Sequence, residues 1–304
     1  MAKHFRALIG TMILLAIPLW GKGYASEASL TVFVSILPQK QIVQRIGQDR
    51  VNVQVMVPAG ANPHAYEPRP GQMTALTRAR IYFSIGVAFE NIWLARFSDI
   101  NRGMTVVATD HGIEKLPMTA GHHHAEDHGH KHSRKDDPYG FDPHIWLSPP
   151  LIKEMAQTVR DALSAADPEH AAFYDRHYAT YLHELDELDR HIRQSLAGEK
   201  GKQFMVFHPS WGYFAHQYGL IQVPVEIEGK EPKPAQLQKL IRDAKASNIE
   251  VVFVQPQFSP RSAKMIADAI GGRIHTADPL APDLEKHLLE LTAAIKSAAP
   301  EDRP

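Results

Sequence analysis

The chain has 304 residues, with 33 lysines and arginines against 34 aspartates and glutamates, and its formal net charge is −1. This balance gives no sign of the basic face that nucleic-acid binding requires. The chain has no cysteine, which excludes disulfides, thiolate metal sites, cysteine nucleophiles and a lipid anchor on an N-terminal cysteine. A chain of this length suits two domains of ordinary size.

The first 25 residues have the pattern of an export signal. Lys3 and Arg6 precede an almost wholly apolar stretch at 7–20, and the small residues Gly23 and Ala25 follow. A stretch of about 14 residues is shorter than the roughly 20 that a membrane-spanning helix needs, although an uncleaved N-terminal anchor is the alternative. We therefore expect cleavage after Ala25, no stable membrane insertion and a free protein in the periplasm.

Short runs rich in Val, Ile and Phe alternate with helical patterns along both halves of the chain. The predicted strands lie at 29–36, 52–57, 81–86 and 105–108 in the first half, and at 203–208, 220–227, 250–255 and 273–277 in the second. Strands that alternate with helices favour a parallel sheet with both faces covered. We expect an α/β fold with two lobes, at 29–165 and 200–304, each built on a mainly parallel four-stranded sheet flanked by helices.

One long helix is predicted between the two halves, at 167–198. Asp167 can cap its start, Pro168 fits its first position and Gly198 can end it. Apolar side chains recur along it at steps of four and three, as in an amphipathic helix. This stripe comprises Tyr174, Tyr178, Tyr181, Leu185, Leu188 and Ile192. A helix of about 30 residues spans roughly 45 Å, so it can connect both lobes rigidly.

The segment 119–137 (TAGHHHAEDHGHKHSRKDD) is low in complexity and has no apolar periodicity, so we expect a mobile loop. Its six histidines are His122, His123, His124, His128, His130 and His132. Such a tract can bind metal as an accessory site, or it can be a solvated segment with incidental affinity. Its affinity should be lower than that of a preformed cleft, because ordering a flexible loop costs conformational entropy.

Four further residues have the chemistry of a zinc site. His64, His208 and Asp278 lie at or just after the carboxyl end of a predicted strand, and His144 lies just before a helix. Ligands of open α/β sheets bind at that edge, and two residues from each half favour the cleft between lobes. Three imidazoles and a carboxylate suit tetrahedral zinc. Each residue has a structural alternative: a hydrogen-bonded histidine at a loop or helix start, or, for the aspartate, a cap.

The motifs NPHAYEP, DPHIWLSP and HPSWGYFAHQYGL, together with the late Asp278, resemble those of the metal-specific solute-binding proteins of ABC transporters. The zinc-uptake receptors are the most similar group, and the resemblance covers nearly the whole chain in order. It implies two α/β lobes joined by one rigid helix, with the metal in the cleft. It also implies ligand roles for His64, His144 and His208, and a fourth position matched by Asp278 or taken by water.

The resemblance further implies a zinc receptor rather than a manganese receptor. Manganese members of the family tend to have a carboxylate where this chain has His208, and a third imidazole favours zinc because manganese prefers harder oxygen ligands. A histidine-rich loop is usual in the zinc receptors, and manganese receptors generally lack it.

The sequence therefore predicts a binding protein, monomeric and without turnover, that captures Zn²⁺ and passes it to an ABC transporter membrane permease. The alternatives are a receptor for manganese or another divalent metal, an adhesin or storage protein of the same fold, and a zinc hydrolase. In the hydrolase, Asp278 or Glu67 would serve as general base. No HExxH pair, serine elbow or phosphate loop in the sequence supports that enzyme class.

Overall fold

The computed structural model describes residues 29–118, 140–227 and 229–297. The predicted export signal at 1–25 and all six histidines of the predicted loop lie outside these described residues. In the part of the chain that the structure describes, no helix combines the length and the hydropathy that crossing a membrane requires.

The first lobe contains a parallel sheet of four strands in the order β2-β1-β3-β4. Its strands are β1 (Leu30–Val34), β2 (Val51–Val55), β3 (Ile81–Ser84) and β4 (Thr105–Ala108), and its helices are α1 (Leu37–Gly47), α2 (Pro70–Leu76) and α3 (Glu90–Ile100). The two central strands read as almost unbroken apolar runs, and all four residues of β3 are buried. This is expected of parallel strands that are covered on both faces.

Two helices follow the first sheet along the chain. The first is α4 (Pro149–Ala166), and after a 3₁₀ turn at Pro168–His170 the chain continues as α5 (Ala171–Ser195), the long helix of the fold. The predicted stripe of α5 faces the core, since all its members except the half-buried Tyr178 are buried.

The ends of α5 differ from the prediction in two details. The carboxylate of Asp167 accepts hydrogen bonds from Nδ1 of His170 (2.8 Å) and from the hydroxyl of Tyr174 (2.6 Å), not from a backbone amide of the helix start. The helix ends at Ser195, with Leu196 as its C-cap, so Gly198 lies beyond the end of the helix. At about 1.5 Å per residue, its 25 residues span roughly 38 Å.

The second lobe repeats the topology of the first, with a parallel sheet in the order β6-β5-β7-β8. Its strands are β5 (Gln203–Val206), β6 (Ile221–Pro224), β7 (Val251–Val254) and β8 (Arg273–Thr276), and its helices are α6 (Gly212–Tyr218), α7 (Pro234–Ala246), α8 (Arg261–Ile270) and α9 (Leu284–Lys296). The predicted α/β fold of two lobes with a long helix between them is confirmed. Helix α9 is an addition that the sequence patterns did not reveal.

The two lobes share one hydrophobic core. Phe204 and Phe253 of the second sheet belong to the same buried cluster as Phe33 of the first sheet and Tyr181 of α5. Successive residues of a strand point to opposite faces, so Met205 instead joins a smaller core under α7 and α8. Apolar packing is therefore continuous from the first sheet through α5 to the second sheet.

The core of the second lobe contains a buried histidine. His287 of α9 is 5% exposed, and its Nε2 accepts a hydrogen bond of 3.3 Å from the indole N–H of Trp211. Burial lowers the pKa of His287 to about 4, against the opposing effect of the charges of Asp278 and Glu290. As pH falls, His287 is therefore protonated at a higher pH in the unfolded chain than in the folded protein. The stability that neutral His287 contributes is complete above about pH 6.5 and is lost as pH falls toward 4.

The substitution His287→Gln should reduce this acid sensitivity, because glutamine keeps an acceptor for Trp211 but does not titrate. Between about pH 7 and pH 4.5, the free energy of unfolding of the metal-free variant should fall by about 2 kcal/mol less than that of the wild type. Denaturant titrations at both pH values measure this difference. The exposed His183 supplies the control His183→Gln. Equal losses in wild type and His287→Gln would contradict the prediction.

Candidate metal centre

Three of the predicted ligands meet between the lobes. His64, His144 and His208 each offer a ring nitrogen, and these atoms lie within 4.8 Å of one another. The ring centroid of His64 is 4.9 Å from that of His208 and 6.4 Å from that of His144. The ring centroids of His144 and His208 are 5.4 Å apart. His208 follows β5 by two residues and His64 lies in the loop after β2, so each sheet contributes its carboxyl edge.

Hydrogen bonds to the backbone fix each of the three histidines in its loop. Oδ1 of Asn62 accepts from the amide of His64 at 2.9 Å, and Oδ1 of Asp142 accepts from the amide of His144 at 2.9 Å. The buried side-chain amide of Gln255 holds His208 at both ends. It accepts from the amide of His208 at 3.2 Å and donates to its carbonyl at 2.5 Å.

Two buried carboxylates set the tautomers of their histidines. Nδ1 of His144 lies 2.6 Å from Oδ1 of Asp142, and Nδ1 of His208 lies 2.8 Å from Oε1 of Glu226. A carboxylate only accepts, so each Nδ1 carries the proton and donates it. Each Nε2 is then left with a free lone pair, which is the arrangement of metal-binding histidines.

The distance between two ring nitrogens of the group matches a shared ion. Nε2 of His64 and Nε2 of His208 are 3.2 Å apart. Two imidazole nitrogens at about 2.0–2.1 Å from one tetrahedral zinc ion are separated by about 3.4 Å. The pair therefore needs almost no rearrangement to bind one zinc ion.

His64 differs from the other two in its surroundings. Its residue surface is exposed, while His144 and His208 are buried. Its ring still packs against both of theirs, and this burial, followed by the charges that His208 and His144 carry when protonated, lowers the pKa of His64 to about 3. His64 is therefore neutral near neutral pH, which is the form that binds metal.

The structure does not bring the fourth predicted ligand into this group. Oδ1 of Asp278 accepts from Nε2 of Gln257 at 2.8 Å and from the amide of Leu280 at 2.9 Å. The second of these bonds is a turn cap, which is the alternative role that the sequence allowed. Glu67 is exposed. The role of Asp278 in metal binding and that of the six loop histidines stay predictions.

The sequence patterns missed three residues that shape the site. Asp142 stands two residues before His144 in FDPH, a spacing that allows one carboxylate to bond both the amide and the ring of the histidine. Glu226 and Gln255 lie just beyond β6 and β7, at the same sheet edge as His208. Their position at the carboxyl ends of strands was the available signal, but the partner of each could not be read from the sequence.

Comparison with known proteins identifies the family. The family model described as "Zinc-uptake complex component A periplasmic" matches residues 32–296. The chain belongs to this family. Its members are periplasmic solute-binding receptors.

Two curated relatives show how far the similarity extends. The chain is 29% identical to the zinc-binding protein AdcA of Streptococcus pyogenes over 279 residues, which are 88% of this chain and 53% of AdcA. It therefore spans about half the length of the first curated relatives that it matches. It is also 29% identical to the high-affinity zinc uptake system protein ZnuA of Brucella abortus over 307 residues, which cover 89% of this chain and 92% of that protein.

Solved structures of ZnuA have the same fold. A ZnuA deletion mutant with zinc bound superposes with a TM-score of 0.81 at 37% sequence identity, covering 91% of this chain and all of that one. A second ZnuA crystal structure gives a TM-score of 0.80 at 37% identity, covering 89% of this chain and 99% of that one.

The two carboxylates should contribute strongly to metal affinity. Asp142→Asn and Glu226→Gln keep the shape of each side chain but remove the charge that stabilises the donating imidazole. Each should weaken zinc binding by about tenfold or more, as measured by competition with a chelating dye. Asp167→Asn removes the same charge from an Asp–His pair in the connection between α4 and α5 and should leave the affinity unchanged. Wild-type affinity in both site variants would contradict this role.

Proposed function

We propose that this protein is a periplasmic receptor that captures Zn²⁺ in the cleft between its lobes and delivers it to an ABC-type membrane permease. The observation that carries the proposal is the convergence of three imidazole nitrogens, drawn from both lobes, within 4.8 Å of one another. The names of the relatives support the metal and the process, since AdcA is described as zinc-binding and ZnuA as part of a zinc uptake system.

The donor set favours zinc over manganese. Neutral imidazole is intermediate between hard and soft ligands and suits zinc. Manganese is the weakest divalent binder at nitrogen sites. Copper and nickel also bind imidazole, so selectivity against them rests partly on metal supply. The proposal includes no chemical turnover, and the family is one of solute-binding receptors, not of enzymes.

Asp278 is the proposed fourth ligand, with water as the alternative. Its Oδ1 already accepts two hydrogen bonds. A carboxylate has two oxygens and about four lone-pair sites, so these bonds do not exhaust its capacity to bind an ion. The six histidines at 122–132 are proposed as accessory sites of lower affinity.

The proposal also includes the processing and organisation expected from the sequence. The signal at 1–25 is cleaved after Ala25, and the mature protein is a monomer. Its lobes extend over 29–165 and 200–304, and the segment 167–198 joins them.

The central test is calorimetric titration of the metal-free mature chain, from Ser26, with Zn²⁺ and with Mn²⁺. We expect one tight zinc site that survives deletion of 122–132, weaker sites that the deletion removes, and weaker binding of manganese. His208→Ala removes one of the three proposed histidine ligands and should weaken zinc binding at the tight site by at least about a hundredfold.

The exposed His216 on α6 supplies the matched control His216→Ala, which should bind as the wild type does. Tighter binding of manganese than of zinc would overturn the metal assignment. A tight zinc site that persists in His208→Ala would overturn the ligand assignment.

The fourth ligand is tested by Asp278→Asn, which keeps an acceptor for the amide of Leu280 and removes the charge. If Asp278 binds the ion, zinc affinity should fall by about tenfold or more. Asp283→Asn is the matched control, because Asp283 also accepts a backbone bond, from Lys286 at 3.0 Å, as the N-cap of α9. Unchanged affinity in Asp278→Asn would assign the fourth position to water.

A further inference from the structure

The hydroxyl of Tyr213, on α6 of the second lobe, makes two hydrogen bonds to the first lobe. It accepts from the amide of Leu116 at 3.0 Å and donates to the carbonyl of Asp142 at 2.8 Å. Tyr213 is 4% exposed. The bond to Asp142 is buried and the bond from Leu116 is partly buried, and loss of the hydroxyl would leave two backbone groups without this partner.

The hydroxyl occupies a place where a backbone bond would normally lie. The amide of Asp142 donates to the carbonyl of Leu116 at 2.8 Å, and the neighbouring residues Pro117 and Phe141 form an antiparallel bridge. In a regular antiparallel ladder, two such residues exchange both of their N–H···O bonds. Here the second bond is replaced by the Tyr213 hydroxyl, which stands between the amide of Leu116 and the carbonyl of Asp142.

The residue before Tyr213 contacts the side chain of the same aspartate. Gly212 lies so close to Asp142 that a Cβ added to the glycine would be 2.6 Å from Oδ2. The other carboxylate oxygen, Oδ1, accepts from both the amide and Nδ1 of His144. Gly212 and Tyr213 thus contact the backbone and the carboxylate of the residue that orients His144.

The same segment of the second lobe carries another metal ligand. Only Pro209, Ser210 and Trp211 separate His208 from Gly212, and the amide of Trp211 donates to Oε1 of Gln222 at 2.6 Å. A displacement of α6 would move His208 and the support of Asp142 together. The segment 208–213 therefore fixes the relative position of two ligands that belong to different lobes.

We propose that Tyr213 is a positioning residue for the metal centre: through Asp142, its hydroxyl sets the position of His144 relative to His208. This inference rests on the proposed function, because it gives Tyr213 a role in positioning the ligands of the same ion. It concerns the geometry of the site and not the identity of its ligands, since Tyr213 itself does not bind the metal.

The test uses Tyr213→Phe in the mature chain, which removes only the hydroxyl. Tyr218→Phe is the matched control, because Tyr218 is also on α6, is also buried, and donates from its hydroxyl to Asp189 of α5 at 2.9 Å. Three quantities are measured for both variants and the wild type: zinc affinity by chelator competition, the visible absorption of the Co²⁺-loaded protein, and the melting temperature of the metal-free protein.

We expect Tyr213→Phe to weaken zinc binding by about tenfold and to change the intensity and position of the Co²⁺ bands, which report ligand geometry. Tyr218→Phe should leave the zinc affinity and the Co²⁺ bands unchanged, even if it lowers the melting temperature as much as Tyr213→Phe does. In an Asp142→Ala background, Tyr213→Phe should have a smaller effect on affinity, because the link to His144 is already lost.

Wild-type affinity and an unchanged Co²⁺ spectrum in Tyr213→Phe would overturn the inference. Equal losses in Tyr213→Phe and Tyr218→Phe would also overturn it, because a general loss of packing would then explain both. Failure of the wild-type protein to bind zinc would instead overturn the proposed function, so the two failures are distinct.

Discussion

Two hydrogen bonds, from Nδ1 of His144 to Asp142 and from Nδ1 of His208 to Glu226, determine what the cleft can bind. All four residues are at most 7% exposed, so neither imidazole can exchange its partner for water. Each bond holds the ring in one orientation and leaves Nε2 unprotonated toward the centre. Without them, either nitrogen of each of these two rings could carry the proton, and their two Nε2 lone pairs would not be held toward the centre.

This arrangement also requires that the lobes keep a fixed distance, because each contributes part of the site. A shared core and directional hydrogen bonds both contribute to that constraint. The indole of Trp146 donates to the carbonyl of Pro279 at 2.7 Å, and Oε1 of Gln41 accepts from the amide of Leu284 at 2.7 Å, each bond crossing between lobes. A site preformed in this way loses little conformational entropy when the ion binds.

The sequence predicted the architecture well because its signals are local. Apolar runs predicted all eight strands that the structure describes, and the apolar stripe identified α5, whose burial follows from helical geometry. The three histidines could be predicted because strand ends share an edge. The partners of those histidines could not, since Glu226 meets His208 across 18 residues and Tyr213 meets Asp142 across 71. The first pairing depends on the register of β5 with β6 and the second on the packing of α6 against the first lobe, and no local pattern specifies either.

The carboxylates also bear on how the centre balances charge. Three neutral imidazoles leave the two positive charges of a zinc ion uncompensated, and an unbalanced charge in a buried site is costly. Asp142 and Glu226 together carry a formal charge of −2, one hydrogen bond behind His144 and His208. The site can therefore approach neutrality although the three converging ring atoms are all nitrogen. Carboxylate charge behind the imidazoles balances the ion without replacing any of the three nitrogen donors, and these donors disfavour manganese.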